Sequence, residues 1–554
     1  MCGILGFFLN EKVSKDNLDN FNNFRTSYQK SLLNQILGIS HRGNDGFGFV
    51  VNEKHFITTN FDEYKKSLFE NLNLNLQDTS ILQMKVLIHF LHSIESFRIQ
   101  PLVDKELNSS LIFNGEIYNY KELAKYFNLK FEDLEETNER FNDADVLFEL
   151  LNSFSLNRLI YELQNLLHHL DGDFACVYVR DTKVICFRDI LGVKPLWFEY
   201  NSENSLFLVT SQRSVQKLGK ENYQLKLQEI LPTEIVEYSN SNNSLIIHKK
   251  IEQLKLDENK LKKLELISKE EQEQKVYELL KQAVKKRIPS DSKKKIGLLF
   301  SGGVDSTVLA LILKDLGVKF TCYTAHLHSD SLDRAEDYVY SLKIAQEYDF
   351  DLKVKTIELD ELEELIKTSI SIIDDRDYIK VSVALPFVAS CEFAQKDEVE
   401  IMFSGLGSEE IFAGYRRHRQ AEDINLECLK GLNILHIRDL YRDDVITMNF
   451  TQELRLPFLD KDLISYALHI PARFKIDIDK VTQISHQVHM KPYLNSQVRS
   501  KIILRDIAMK YLNLKEEFAN RHKKAAQYGS KFDKGILRLA KNKGLMKQEY
   551  LNNL

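Results

Sequence analysis

Cysteine is scarce in this chain and never closely paired: Cys2, Cys176, Cys186, Cys322, Cys391 and Cys428 are the six in 554 residues, and none forms a C-x-x-C. That spacing excludes a disulfide framework and a structural zinc site. The tightest histidine pairs are His89 with His92, His168 with His169, and His326 with His328. None has the neighbouring cysteines or carboxylates of a metal set, and they read as ordinary polar residues. Long hydrophobic runs are missing as well. No apolar stretch approaches the ~20 residues that span a bilayer, and the N-terminus lacks a basic region followed by an apolar core. The expected compartment is therefore the cytoplasm, with no membrane partner. An excess of one charge is also absent, since 75 basic and 81 acidic residues leave a formal net charge of −6. Nothing in that balance calls for a nucleic-acid partner or an anionic surface. The length exceeds one ordinary core, so two large domains are expected.

What is present centres on Ser301-Gly302-Gly303-Val304-Asp305-Ser306. The apolar burst Ile296–Phe300 predicts a buried parallel strand, and Thr307–Leu316 has helical spacing that stops at Gly317. A tight turn at a helix start offers unpaired backbone N–H groups and the positive end of the helix dipole, which suits phosphate oxygens. Gly302 and Gly303 permit close approach, Ser301 and Ser306 add hydroxyl donors, and Asp305 is placed to hold Mg²⁺. The G-x-x-x-x-G-K-[ST] pattern of a Walker A loop and its lysine are missing. The hexapeptide instead resembles the pyrophosphate loop of the ATP pyrophosphatases, which implies cleavage of ATP to AMP and pyrophosphate.

At the other end, removal of the initiator methionine would expose Cys2 with a thiol and a free α-amine on one residue. An α-amine titrates near ~7.7–8.0, so it can serve as the base for its own thiol. Further along come His41-Arg42-Gly43-Asn44-Asp45-Gly46, Asn114-Gly115-Glu116-Ile117-Tyr118-Asn119, Asp143, Leu170-Asp171-Gly172-Asp173-Phe174-Ala175, and Arg188 to Leu196. With Cys2 this ordered series resembles the class II glutamine amidotransferases, an N-terminal-nucleophile fold of two stacked sheets between helical layers (αββα). The resemblance implies that Cys2 attacks the glutamine carboxamide. It makes Asn114 and Gly115 the oxyanion donors, with Asn114, Gly115, Glu116 and Asp143 as glutamine contacts and Asp143 on the α-ammonium. One position departs: Ile94 stands where the family carries an arginine for the glutamine α-carboxylate, with Arg98 close by in sequence. Asn71–Leu76 alternates polar and apolar residues, which fits one half-buried strand or compositional bias.

The expected domain limits are 2–240 for the amidotransferase part, 241–275 for a polar linker and 276–554 for the rest, with a charged helix as the alternative in the linker. Strands are predicted at Phe320–Ala325, Leu352–Ile357 and Val399–Phe403, and a helix over Asp333–Tyr348. Ser404-Gly405-Leu406-Gly407-Ser408-Glu409-Glu410, Gly414-Tyr415, Arg455-Leu456-Pro457-Phe458-Leu459-Asp460 and Lys501 resemble asparagine synthetase segments. This implies an ATP-pyrophosphatase-type α/β domain with a parallel sheet. Leu299, Ala325, Ser404 and Gly405 join Ser301, Gly302, Gly303, Asp305 and Ser306 as implied ATP contacts. Lys501 is the implied active-site lysine, and Asp305 with Glu409, helped by Glu410, the implied Mg²⁺ ligands. Leu406 departs, standing where the family carries a catalytic glutamate. Arg416 to Arg419, Tyr441 to Asp444 and Lys523 to Ser530 look more like the asparagine synthetase domain-containing paralogue. The activity implied is ATP-dependent synthesis of asparagine from aspartate and glutamine through aspartyl-AMP. The alternatives are a degenerate paralogue that binds nucleotide or protein, and adenylation of another carboxylate as in β-lactam synthetases.

Overall fold

Strand β1, Gly3–Asn10, is buried on both faces, and the reason lies in its alternation. Leu5, Phe7 and Leu9 face one apolar cluster, while Ile4 and Phe8 face another. A strand apolar on both sides needs a layer on each. The computed structural model describes residues 2–10, 35–77, 83–94, 97–129, 142–203, 205–214, 226–250, 253–330, 333–477, 498–522 and 524–554. Met1 and Lys523 of the sequence reading lie outside these. The chain divides into two compact units, Met1–Gln253 and Leu254–Leu554.

In the first unit, β1 lies in a sheet with β2 (Gly46–Val51), β3 (Lys54–Thr58), β4 (Gln83–Leu91), β9 (Trp197–Asn201), β10 (Leu206–Thr210) and β11 (Gln228–Glu229), in the order β11-β9-β10-β1-β4-β2-β3. A second sheet runs β13-β12-β8-β7-β6-β5, from β5 (Leu102–Asp104), β6 (Ser109–Ile117), β7 (Gly172–Arg180), β8 (Lys183–Arg188), β12 (Glu234–Ser239) and β13 (Ser244–Lys249). Ile4, Phe8, Leu87 and Val209 of the first sheet meet Ile112, Ala175, Val177 and Val236 of the second in a shared core. On the outer faces, α1 (Phe61–Gln77) covers the first sheet through Tyr64, Leu68 and Leu72. The second sheet is covered by α2 (Asp143–Ser153) and by the helix Leu159–His169. The described layers are thus helix, sheet, sheet, helix.

In the second unit, β14 (Ile296–Leu299), β15 (Phe320–Leu327), β16 (Leu352–Ile357), β17 (Ile401–Phe403) and β18 (Glu453–Arg455) form a parallel sheet in the order β16-β15-β14-β17-β18. The chain leaves β14 toward β15 and β16, then returns to β17 on the other side. Between β14 and β17 the winding reverses, and open α/β sheets bind ligands outside the strand ends at such a point.

One expectation is corrected. Asn71–Leu76 belongs to α1, because Tyr64, Leu68 and Leu72 keep a four-residue spacing that the local alternation hides. In the stretch 241–275 the charged-helix alternative is what occurs: after β13 come the helix Glu258–Glu265, capped by Asp257, and the start of α3 (Lys269–Lys286), capped by Ser268 with Glu271.

His89 on β4 is fully buried, and that burial pushes its imidazole down to about 3, so it is neutral. In the unfolded chain the same ring titrates near ~6.5. The unfolded state therefore binds the extra proton below that pH, and stability is lost as pH falls from 6.5 toward 3. Urea unfolding of the first unit should weaken by up to about 1.4 kcal/mol per pH unit in this range from His89 alone. His89→Gln should flatten that limb.

Candidate active sites

Strand β6 pairs with β7 along its whole length, but β5 covers only Ser109–Leu111 on the other side. Phe174, opposite Gly115, spends its N–H and C=O on Asp189, so Phe113, Gly115 and Ile117 turn their backbone groups to the open edge. Buried edge groups need partners. The Phe113 N–H donates to Gln100 Oε1 at 2.7 Å, and its C=O lies 3.3 Å from His89 Nε2. Ile117 N–H donates to Asp143 Oδ2 at 2.9 Å. Between them Gly115 has φ +134°, and no described residue accepts from its N–H.

Asn114 turns its side chain the other way, between the sheets. Its Oδ1 accepts from Cys2 N at 2.8 Å, which leaves Nδ2 buried without a partner among the described residues. Two adjacent residues thus present open N–H donors beside a cysteine that is only 6% exposed. Such a pair can hold a developing oxyanion. Glu116 is half-buried on β6, and Asp143 is the first residue of α2, its Oδ1 accepting from Ala144 N at 2.9 Å. Ile94 is buried in the core. Arg98 Nε donates to Asp145 Oδ1 at 3.0 Å, which brings its guanidinium to the first turn of α2, two residues from Asp143.

In the second unit the loop after β14 leads into α4 (Val304–Asp315), three residues earlier than its apolar spacing predicts. Gly302 takes φ +64°, and a Cβ there would sit 2.8 Å from Ser341 N, so the turn closes against a neighbouring helix. The loop after β17, Ser404–Gly407, lies across the same reversal point. Lys501 Nζ reaches Asp305 Oδ1 at 2.7 Å and Oδ2 at 2.8 Å, Glu409 Oε1 at 2.8 Å and Ser408 Oγ at 3.1 Å. Lys501 is 3% exposed and starts α5 (Ile502–Leu512) in a left-handed conformation, φ +55°. The sheet ends and the two loops surround a cavity of about 950 Å³, and Lys501 meets it through the lining carboxylates Asp305 and Glu409. Leu299, Ser301, Asp305, Ser306, Ala325, Ser404, Gly405 and Glu409 line it, and Leu406 lies on the same wall.

Glu410 does not join that cluster. It is fully buried, burial pushes its carboxyl up, and its Oε1 contacts Arg438 Nη2. The role expected for it beside Glu409 is thereby corrected: successive helical residues point about 100° apart, so only one faces the lysine. Tyr415 is flanked by Arg417 at 4.3 Å and Arg438 at 5.2 Å from its ring centroid. Asp439 lines the cavity too. Burial opposes its ionisation, but Arg442 and Arg438 hold its carboxyl below the usual range. Ser408, His89 and the Gln100 side chain are contributors that sequence reasoning missed. Ser408 lies within the Ser404–Glu410 segment, whereas His89 carries no local signal.

A family model described as asparagine synthase matches residues 275–429 and 421–549, and one described as a glutamine amidotransferase domain matches 92–217. A putative glutamine-hydrolysing asparagine synthetase of Methanocaldococcus jannaschii is 29% identical over 552 residues, covering 93% of this chain and 94% of that one. The Homo sapiens glutamine-hydrolysing asparagine synthetase is 27% identical over 412 residues, 69% and 68% of the two chains. The Gallus gallus enzyme of the same name is 25% identical, covering 79% and 74%.

A Cβ on Gly115 would lie 2.0 Å from Asp173 O, on top of the unfavourable φ. Gly115→Ala should therefore destabilise the first unit by about 1–3 kcal/mol in urea unfolding, with the second unit unaffected.

Proposed function

From the premise that this chain belongs to the glutamine-hydrolysing asparagine synthetase family, we propose that it makes asparagine from aspartate, glutamine and ATP in the cytoplasm, one half-reaction in each unit. The observation that carries the reading is the convergence of Asp305, Ser408 and Glu409 on the buried Lys501 ammonium beside the pyrophosphate loop.

In the first unit, with Met1 removed, the Cys2 α-amine takes the thiol proton and Sγ attacks the glutamine carboxamide carbon. Asn114 Oδ1, already on Cys2 N, orients that amine, while Asn114 Nδ2 and Gly115 N–H stabilise the tetrahedral oxyanion. Ammonia leaves, and water hydrolyses the thioester to glutamate. Asp143, with Glu116 near it on β6, takes the α-ammonium end. Ile94 offers nothing to the α-carboxylate, so Arg98, held at the same helix start by Asp145, takes that role.

In the second unit Leu299, Ala325, Ser404 and Gly405 hold the adenosine, and Ser301, Gly302, Gly303 and Ser306 hold the phosphates. An oxygen of the aspartate β-carboxylate attacks the α-phosphorus, and pyrophosphate leaves toward Lys501, whose charge offsets what accumulates there. Ammonia then attacks the acyl carbon and AMP departs. Asp305 and Glu409 meet at the Lys501 ammonium, and these two carboxylates, with phosphate oxygens, would be the residues to hold Mg²⁺. The ion would add charge neutralisation there. Leu406 can take no proton, which leaves Asp439 as an ionised carboxylate on the same cavity.

The test is release of AMP and pyrophosphate by N-terminally processed protein with Mg-ATP and aspartate, supplied with ammonium or glutamine, while asparagine is followed. Asparagine is expected from both donors, and aspartate-independent or absent AMP would overturn the reading. Cys2→Ser should lower glutamine-dependent turnover by about 10³-fold or more and spare turnover with ammonium. Arg98→Ala should raise the KM for glutamine by about 10- to 100-fold, the worth of a charged hydrogen bond, at nearly constant kcat with ammonium.

A further inference from the structure

The lysine and the pyrophosphate loop come from distant parts of the chain, yet two buried arginines run between them. Arg505, in the first turn of α5, donates from Nε to Ser500 O at 2.8 Å, the carbonyl of the peptide that enters Lys501. Its Nη1 donates to Ala519 O and, at 3.4 Å, to Arg521 O. Arg521 in turn donates from Nη1 to Ser301 O at 2.7 Å, on the loop itself, and from Nη2 to Asp337 Oδ1 at 2.5 Å. Its guanidinium stacks 4.3 Å from the Tyr340 ring centroid. Asp337, Tyr340 and Ser341 belong to the helix Glu336–Tyr348, the one whose backbone excludes a Cβ on Gly302. The loop is therefore held to this one helix twice, directly at Gly302 and through Arg521 at Ser301 O.

We propose that Arg505 and Arg521 are positioning residues that act in series, setting the separation between the Lys501 ammonium and the pyrophosphate loop. This rests on the reading of the second unit as an ATP site. Neither arginine lines the cavity; they are 9% and 5% exposed. Asp337 neutralises Arg521, so its contribution is geometric. A planar guanidinium donates in two fixed directions at once, which lets each arginine span two segments; a lysine keeps the charge and loses the span. Phosphate binding depends on that span because the loop N–H groups and the ammonium must meet the same ligand, and a shift near 1 Å is costly at such sites.

The test uses the full chain. Mg-ATP is titrated calorimetrically into the parent protein, Arg505→Lys, Arg521→Lys, the double variant and the milder Tyr340→Leu, with thermal unfolding and glutaminase activity measured in parallel. Each arginine variant should raise the Kd for Mg-ATP about 10-fold, and the double variant should be within about 3-fold of the worse single one, because elements in series fail together. Tyr340→Leu should give a smaller rise, and glutaminase activity should stay within about two-fold of the parent, since its groups lie in the other unit. A merely structural role lowers the unfolding midpoint and the binding-competent fraction but leaves the Kd unchanged. An unchanged Kd in both single variants, or losses that multiply in the double, would overturn the proposal. A parent that binds no Mg-ATP overturns the ATP reading and the positioning role with it, whereas equal binding by parent and variants overturns the positioning role alone.

Discussion

A buried polar group must find a partner, and both candidate sites occur where the ordinary supply of partners is interrupted. In the first unit the interruption is the short strand β5, which leaves β6 with an open edge beyond Leu111. Gln100, His89 and Asp143 close that edge residue by residue, and the gap that stays open is Gly115. In the second unit the interruption is the reversal of winding between β14 and β17, where two loops separate instead of pairing. The side chains of Asp305, Ser408 and Glu409, which follow these loops, then share a single ammonium. Neither arrangement needs an unusual residue; each needs a regular element that stops early.

The αββα layering was legible only through the motif series that begins at Cys2, whereas the parallel sheet was legible because its strands are short, apolar and bounded by turns, as Ile296–Phe300 and Phe320–Ala325 illustrate. The glycine turn after β14 was legible for the same reason. The Lys501 position was legible only through motif order, since a lysine before a helix ordinarily reads as solvated. Period failed at Asn71–Leu76, where three local alternations outvoted a helical spacing that began at Tyr64. Arg505 and Arg521 were invisible because their partners are mostly backbone carbonyls, which leave no residue-type signature at the far end. Glu410 misled for a related reason. Its neighbour Glu409 has the same chemistry, and only the turn of the helix separates a carboxylate on the Lys501 ammonium from one sealed against Arg438.

The two departures from family pattern differ in kind. Ile94 is buried, whereas Arg98 is held at the first turn of α2 through Asp145. Leu406 lies on the cavity wall, where the surrounding charges are already strongly coupled to one another. Asp439 is held between Arg438 and Arg442, and Glu409 is held by Lys501. A leucine among such pairs changes the solvation of the acceptor more than the count of charges.

The burial of the cysteines gives the protein a chemical address. Cys176, Cys186, Cys322, Cys391 and Cys428 are all at 0% exposure, and Cys2 alone retains some surface. Burial also pushes the thiols of Cys176, Cys186, Cys322, Cys391 and Cys428 up, away from the reactive thiolate. In the native state all six cysteines are buried, and after unfolding a thiol-directed reagent meets six sulfurs. The folded chain is thus its own protecting group, and thiol labelling can report its opening without removing any native cysteine.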